Sequence, residues 1–187
     1  NFVSLTSKTE TLTEPGETTT RRYVTTYGYD VDTGNLLTET LYDKNDAVLL
    51  QSTSTYFDES SFSADLMIRN RLEAQTTTDG ATTLSKAQYA YDTSGNLTDE
   101  THYADATTTY SLHKTHDSFG NVETVTGYDG VMHTFTYDSD GVFVVSDSAP
   151  VASAGTYTKT FEHDRFSGSI TNATDNSGMQ TQSTYDD

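Results

Sequence analysis

The 187-residue chain contains no cysteine and no tryptophan, only two prolines, and ten basic residues. Without cysteine it has no disulfide scaffold, no thiolate zinc site and no thiol nucleophile, although the compartment stays open because many bacterial secreted proteins also lack cysteine. No apolar run approaches the roughly 20 residues of a membrane-spanning helix, and no signal peptide is visible. Apolar residues make up 33% of the chain, below the roughly 45–50% of ordinary globular domains, so a thick core is hard to build. The shortage of basic residues, set against 28 acidic ones, gives a net charge of −18. Such a surface repels phosphate backbones and anionic headgroups, which excludes nucleic acid and membrane surfaces as expected partners and disfavours sulfated polysaccharides. The chain starts NFVSLTSKTE, without an initiator methionine, and reads as a piece of something longer.

What is abundant is threonine, 37 residues, and tyrosine, 13 residues, beside eight phenylalanines. Both of the abundant types suit pleated, half-buried surfaces and are poor material for long helices. Tyrosine then supplies much of the buried area, its hydroxyl kept wet or hydrogen-bonded. The composition predicts an all-β fold in one region, 1–187, whose first 22 residues are uninformative.

A short phrase recurs along the chain. YDVDTGNLL begins at Tyr29, YDTSGNL at Tyr91, HDSFGNV at His116, YDSDGVF at Tyr137 and HDRFSGSI at His163, and the chain ends on Tyr185-Asp186-Asp187. From position 91 onward the Tyr/His markers are spaced 25, 21, 26 and 22 residues apart. Tyr42 opens YDKNDAV only 13 residues after Tyr29, with Asn45-Asp46 where glycine is expected, and YFDESSF from Tyr56 reads as a worn copy. Self-similarity on this scale marks a repeat architecture.

Turn chemistry explains the phrase. Asp92 at the first position and Gly95 at the fourth fit a type I turn: the carboxylate caps it and the glycine accepts the positive φ that follows. With a bulge, that is a standard hairpin loop. The same reading applies to Asp117 with Gly120 and Asp138 with Gly141, and, with the glycine one place later, to Asp30 with Gly34 and Asp164 with Gly168. Alternation before the turn puts Val131, His133, Phe135 and Tyr137 on one strand face. Gly130 and Gly178, each seven residues before a Tyr-Asp, mark the opposite turns of a meander. SADLMIRNRLEAQ, 63–75, is compatible with a helix, and at least as well with a strand. Each period is then a hairpin that cannot bury its apolar face alone, so neighbours stack into an extended, twisting sheet. The marker rings, Tyr29, Tyr91, Tyr137 and Tyr185, are expected to stack on one another between successive hairpins.

This phrase resembles the YD-repeat (Rhs-type) family, on Tyr29-Asp30…Gly34-Asn35-Leu36, Tyr91-Asp92…Gly95-Asn96-Leu97, His116-Asp117…Gly120-Asn121-Val122 and Tyr137-Asp138…Gly141. The stretch from Tyr137 to the end is also similar to the Rhs-like region of the B components of insecticidal toxin complexes, with His163 in place of Tyr and Ser167 inserted before Gly168. Teneurins are more distant. The resemblance covers about residues 23–187. It implies a β-strip that spirals into a hollow shell enclosing a C-terminal polypeptide, commonly a toxin, in a secreted or cell-surface bacterial setting. The partners so implied are the rest of the parent chain and its enclosed cargo, with no cofactor. The family's self-cleaving segment has no counterpart here, since neither Pro15 nor Pro150 follows an aspartate.

Other readings compete. Asp30-x-Asp32-x-Gly34, Asp138-x-Asp140-Gly141 and Asp175-Asn176-Ser177-Gly178 echo calcium loops, but none supplies the twelfth-position carboxylate, and turn chemistry explains every Asp and Gly. His113 and His116 at i and i+3 of a strand point to opposite faces, which is poor zinc geometry. No G-x-S-x-G and no glycine-rich phosphate loop is present, and a glycosidase carboxylate pair would not repeat. Exposed tyrosine ladders can stack on sugars, so an adhesion or glycan-binding module is the main alternative, with a calcium-stabilised spacer third. A cut strip also exposes edges that invite edge-to-edge self-association.

Overall fold

The computed structural model describes residues 4–13, 20–152 and 155–185; Pro15 and Asp186 lie outside them. The chain divides into two compact units, Asn1–Tyr110 and Ser111–Asp187. The first holds β1 (Ser7–Thr13), β2 (Thr20–Tyr29), β3 (Leu36–Tyr42), β4 (Val48–Tyr56), β5 (Leu72–Asp79), β6 (Thr82–Tyr91) and β7 (Leu97–Tyr103). The second begins within β8 (Thr109–His116) and continues through β9 (Val122–Thr126), β10 (Met132–Tyr137), β11 (Val144–Val151), β12 (Gly155–His163), β13 (Ile170–Thr174) and β14 (Gln180–Gln182). Within each unit every strand pairs antiparallel with its neighbour in chain order. The all-β hairpin fold expected from threonine and tyrosine is the observed one. Hydroxyl pairs tie strands together at Ser52–Thr77 (2.9 Å), Thr115–Thr124 (2.8 Å) and Thr136–Ser146 (2.6 Å), the cross-strand pairing that makes threonine useful on a sheet.

Each marker aromatic before Tyr185 closes a strand at a register shift. The shift falls just before Tyr29, Tyr42, Tyr56, Tyr91, His116, Tyr137 and His163. Beyond it the marker pairs with the first residue of the next strand: Tyr29 with Leu36, His116 with Val122, Tyr137 with Val144 and His163 with Ile170. The alternation expected along 131–137 therefore holds through His133 and Phe135, whose rings lie 6.4 Å apart, and is broken at Tyr137. Chain order also resolves the odd spacing of 13. In the first unit Tyr29, Tyr56 and Tyr91 end even-numbered strands at one border, whereas Tyr42 ends β3 at the opposite border. It is half a period out because it is one strand out.

In YDKNDAV the glycine's place is taken by Asp46, at φ 61°. Its amide donates to Asp43 O (3.1 Å), as Gly95 does to Asp92 O (3.0 Å). A side chain in this left-handed region carries strain that glycine lacks. Asp46→Gly is expected to stabilise the protein by about 0.5–1 kcal/mol, seen as a higher urea midpoint; a lower midpoint would refute the equivalence.

Burial is sparse, as a sheet one layer thick requires: among the described residues Phe62 and Ala87 are the buried apolar side chains, and none is fully enclosed. Phe62 belongs to 57–71, where the helix or strand expected over 63–75 is found only from Leu72 on. The rest is irregular after a single 3-10 turn, Glu59–Ser61. Its Tyr56-Phe57 end is the worn copy. Phe57 N donates to Arg71 O (2.9 Å), the closure that Asp92 N makes to Asn96 O (3.0 Å) in a short copy. The intervening residues form an enlarged turn that covers the next one. Phe57, Phe62 and Tyr91 meet edge to face at 5.7–6.2 Å, and the Arg71 guanidinium lies 5.7 Å from the Tyr91 ring centre.

Candidate functional site

The motif residues assemble into a row of turns along one border of each unit. In each turn the glycine amide donates to the aspartate carbonyl: Gly34 to Asp30 (2.9 Å), Gly120 to Asp117 (3.1 Å), Gly141 to Asp138 (3.0 Å) and Gly168 to Asp164 (2.8 Å). These glycines, with Gly95, all have φ between 67° and 86°, the region only glycine enters without cost. The aspartate carboxylates point inward on the turn. Asp30 Oδ1 accepts from the amides of Asp32 (3.1 Å) and Thr33 (2.7 Å), and Asp138 Oδ1 from those of Val142 (2.8 Å) and Phe143 (3.2 Å). Asn96 and Asn121, next after the turn glycines, donate to the second oxygens of Asp92 (3.0 Å) and Asp117 (3.1 Å).

These bonds favour the charged carboxylate. The Thr33 amide holds Asp30 below the usual carboxylate range, the Ala47 amide does so for Asp43, the Val142 amide for Asp138, the Ser167 amide for Asp164 and the Ser177 hydroxyl for Asp175. The Thr107 and Thr108 amides take Asp105 from 3.8 to about 2. A folded-state pKa below the unfolded one contributes stability that is complete above the unfolded value and lost as pH falls through the folded one. The melting temperature is therefore expected to fall steeply between about pH 4 and pH 2. A flat thermal-melt series across that window would show that the turns do not depend on charged carboxylates.

The rings act from one repeat to the next. Tyr56 Oη donates to Leu36 O (3.1 Å), Tyr137 Oη to Val122 O (2.9 Å) and Tyr185 Oη to Ile170 O (3.0 Å), and His163 Nε2 contacts Val144 O at 2.7 Å. In every case the acceptor is the residue paired with the preceding marker at the same border. His163 Nδ1 also lies 3.2 Å from Gly168 O; a carbonyl only accepts, so whichever ring nitrogen bonds its carbonyl must carry a proton, and the Nε2 contact is the shorter. Tyrosine and histidine are interchangeable in this slot because each is a flat plate with a donor at its far end. The expected ring-on-ring stacking of markers is not found: among the described residues no two marker rings are in contact. Markers at one border sit two strands apart, about 9–10 Å, beyond the 4.5–7 Å of aromatic pairs. The hydroxyl spans the gap that the rings cannot. Where rings do meet across repeats, the partner is a turn residue, Phe143 stacked on His163 at 5.1 Å and Phe57 against Tyr91. Tyr137→Phe is expected to cost about 1 kcal/mol and His163→Tyr much less, by chemical denaturation; equal losses would argue against a donor role.

Side chains that sequence reasoning missed link the turns laterally. Asn121 Nδ2 donates to Gly141 O (2.8 Å), Asn35 Nδ2 to Arg69 O (2.5 Å) and Arg71 Nε to Gly95 O (2.9 Å). Arg165 Nη2 bridges Asp138 Oδ2 (3.1 Å) and Asp140 Oδ2 (2.6 Å). The recurring Gly-Asn pair was a visible signal for the asparagines; nothing in the sequence marked Arg165. Of the calcium residues, Asp138 and Asp140 thus face a guanidinium, and Asp30 faces turn amides. Asp175 likewise accepts from the Ser177 amide (2.8 Å). Among the described residues no three His, Asp or Glu side chains group so as to hold a metal ion. His116 sits at its bulge with Nδ1 buried and unbonded. Two histidine–carboxylate pairs also form, His133 Nδ1 to Asp147 Oδ1 (2.8 Å) and His102 Nε2 to Glu100 Oε1 (2.5 Å).

No family model and no curated protein sequence matches the chain. Similar solved structures include a crystal structure of TcdB2-TccC3-TEV, with 18% identity and a TM-score of 0.47 over 83% of this chain and 9% of that one. A Photorhabdus luminescens Tc holotoxin pore structure shares 18% identity at a TM-score of 0.42, over 86% of this chain and 10% of that one. A porin-like protein from Bacteroides uniformis shares 14% identity at a TM-score of 0.33, over 95% and 93%. The chain spans about a tenth of the length of the two toxin-complex chains.

Proposed function

We propose that the chain is a non-catalytic segment of a YD-repeat (Rhs-type) shell that helps enclose a C-terminal polypeptide of its parent protein. The observation that carries this reading is the series of clasps. At four markers, Tyr56, Tyr137, His163 and Tyr185, the Tyr or His hangs on a backbone carbonyl of an earlier hairpin. Stability then accumulates along the strip, each repeat supported by its neighbours, as in other repeat proteins. A wall needs that property more than it needs a core. The surface suits the role too: threonine hydroxyls and a net charge of −18 wet a cargo without gripping it. The sequence resemblance in Tyr-Asp…Gly-Asn-Leu points the same way.

The test is protease protection in the full-length parent chain. The downstream polypeptide should survive protease levels that degrade it when it is expressed alone, and Gly95→Val in the wall should reduce the protection. Equal digestion in both contexts would overturn the shell reading. Saturable binding on a glycan array would favour the adhesion alternative instead.

A further inference from the structure

Three successive turns of the second unit each carry a large apolar side chain into solvent. Phe119 is 78% exposed, Val142 63% and Phe166 102%. The turns lie side by side: a Cβ on Gly141 would sit 3.3 Å from the Phe119 ring, Asn121 bonds Gly141 O, and Arg165 bridges Asp138 and Asp140. The turn itself does not require these residues. Phe119 and Phe166 stand three places after their markers, and the same place holds Ser94 and Asp140 in other copies. Exposed phenylalanine at a position that a polar residue fills equally well is the pattern of a contact surface, where aromatic anchors supply most of the binding energy.

The charge around the row selects the occupant. Asp117, Asp138, Asp140 and Asp164 all stand in these turns, and the one arginine there, Arg165, is held by Asp138 and Asp140, so the row carries an excess of negative charge. A second copy docking through the same row would bring like charges together, and an anionic lipid surface would be repelled. We propose that the row Phe119–Val142–Phe166 is a docking surface for a cationic amphipathic polypeptide segment, whose apolar side chains cover the exposed rings while its Lys or Arg residues meet the flanking carboxylates. The inference does not depend on the shell reading.

The test uses the full chain and a fluorescently labelled peptide of alternating leucine and lysine, followed by anisotropy. The wild type should bind it, less tightly as salt rises. The double variant Phe119→Ser/Phe166→Ser should bind at least about tenfold more weakly, while the control Val31→Ser, another exposed apolar turn residue outside the row, should leave binding unchanged. Thermal melts verify that both variants fold. Since the serine variant keeps every charge, undiminished binding would overturn the proposal, as would no wild-type binding. Equally tight binding of a lysine–serine or a leucine–glutamate peptide would do the same, and so would sedimentation showing self-association lost in the double variant.

Discussion

Gly95→Val is expected to destabilise the protein by about 3 kcal/mol, the largest loss from any single turn substitution. Two costs combine. Gly95 has φ 82°, where a β-branched residue is strained by about 1–2 kcal/mol. A Cβ there would also run into Cδ1 of Ile68, which must shift, and lie 3.6 Å from Arg71 Nε. That nitrogen donates to Gly95 O, so the valine side chain also crowds the contacts that seat the enlarged 57–71 turn. Gly127→Val is the control. Gly127 does not have a left-handed φ, and its Cβ would meet only the movable Asp129 carboxylate, at 3.0 Å, as its nearest neighbour. Urea denaturation should give a much lower midpoint for the first variant. Equal midpoints would sink the turn assignment.

Phe62→Ala should cost a similar amount, about 3 kcal/mol. Phe62 is 7% exposed and packs edge to face on Phe57 (6.1 Å) and Tyr91 (6.2 Å). In a sheet with so few buried side chains, little else can fill the cavity. Loss of this contact should also raise hydrogen exchange in β4 to β6, which meet at the cluster. Phe166→Ala removes the same ring from a fully exposed turn and should change stability by less than about 0.5 kcal/mol. If both alanine variants melted together, Phe62 would not be a core residue.

Sequence reasoning located the turns because a turn is local. Asp at one position and Gly three or four later satisfy each other within a few bonds, and Asp46 shows that the requirement outlives the glycine. The reading faltered where residues far apart in sequence meet. Tyr56 was seen only as a worn copy because Phe57 replaces Asp and the turn is enlarged to Arg71. The stretch 63–75 had apolar residues without a clear period, since Ile68 is placed by Gly95 and Phe62 by Tyr91 instead of by a helix or strand face. Arg165 is one of ten basic residues in the sequence, and only the lateral contact of two turns shows that it bridges Asp138 and Asp140.

Composition and turn spacing by themselves determined that this chain is made of antiparallel hairpins, because strand propensity and left-handed glycines act over a handful of neighbouring residues. Which atoms join one hairpin to the next was decided only in three dimensions. Marker rings lie two strands apart, too far to stack, so Tyr56, Tyr137 and Tyr185 reach a carbonyl with their hydroxyls and His163 with its Nε2. That distance comes from strand pairing across the sheet and has no trace in the spacing of the repeats.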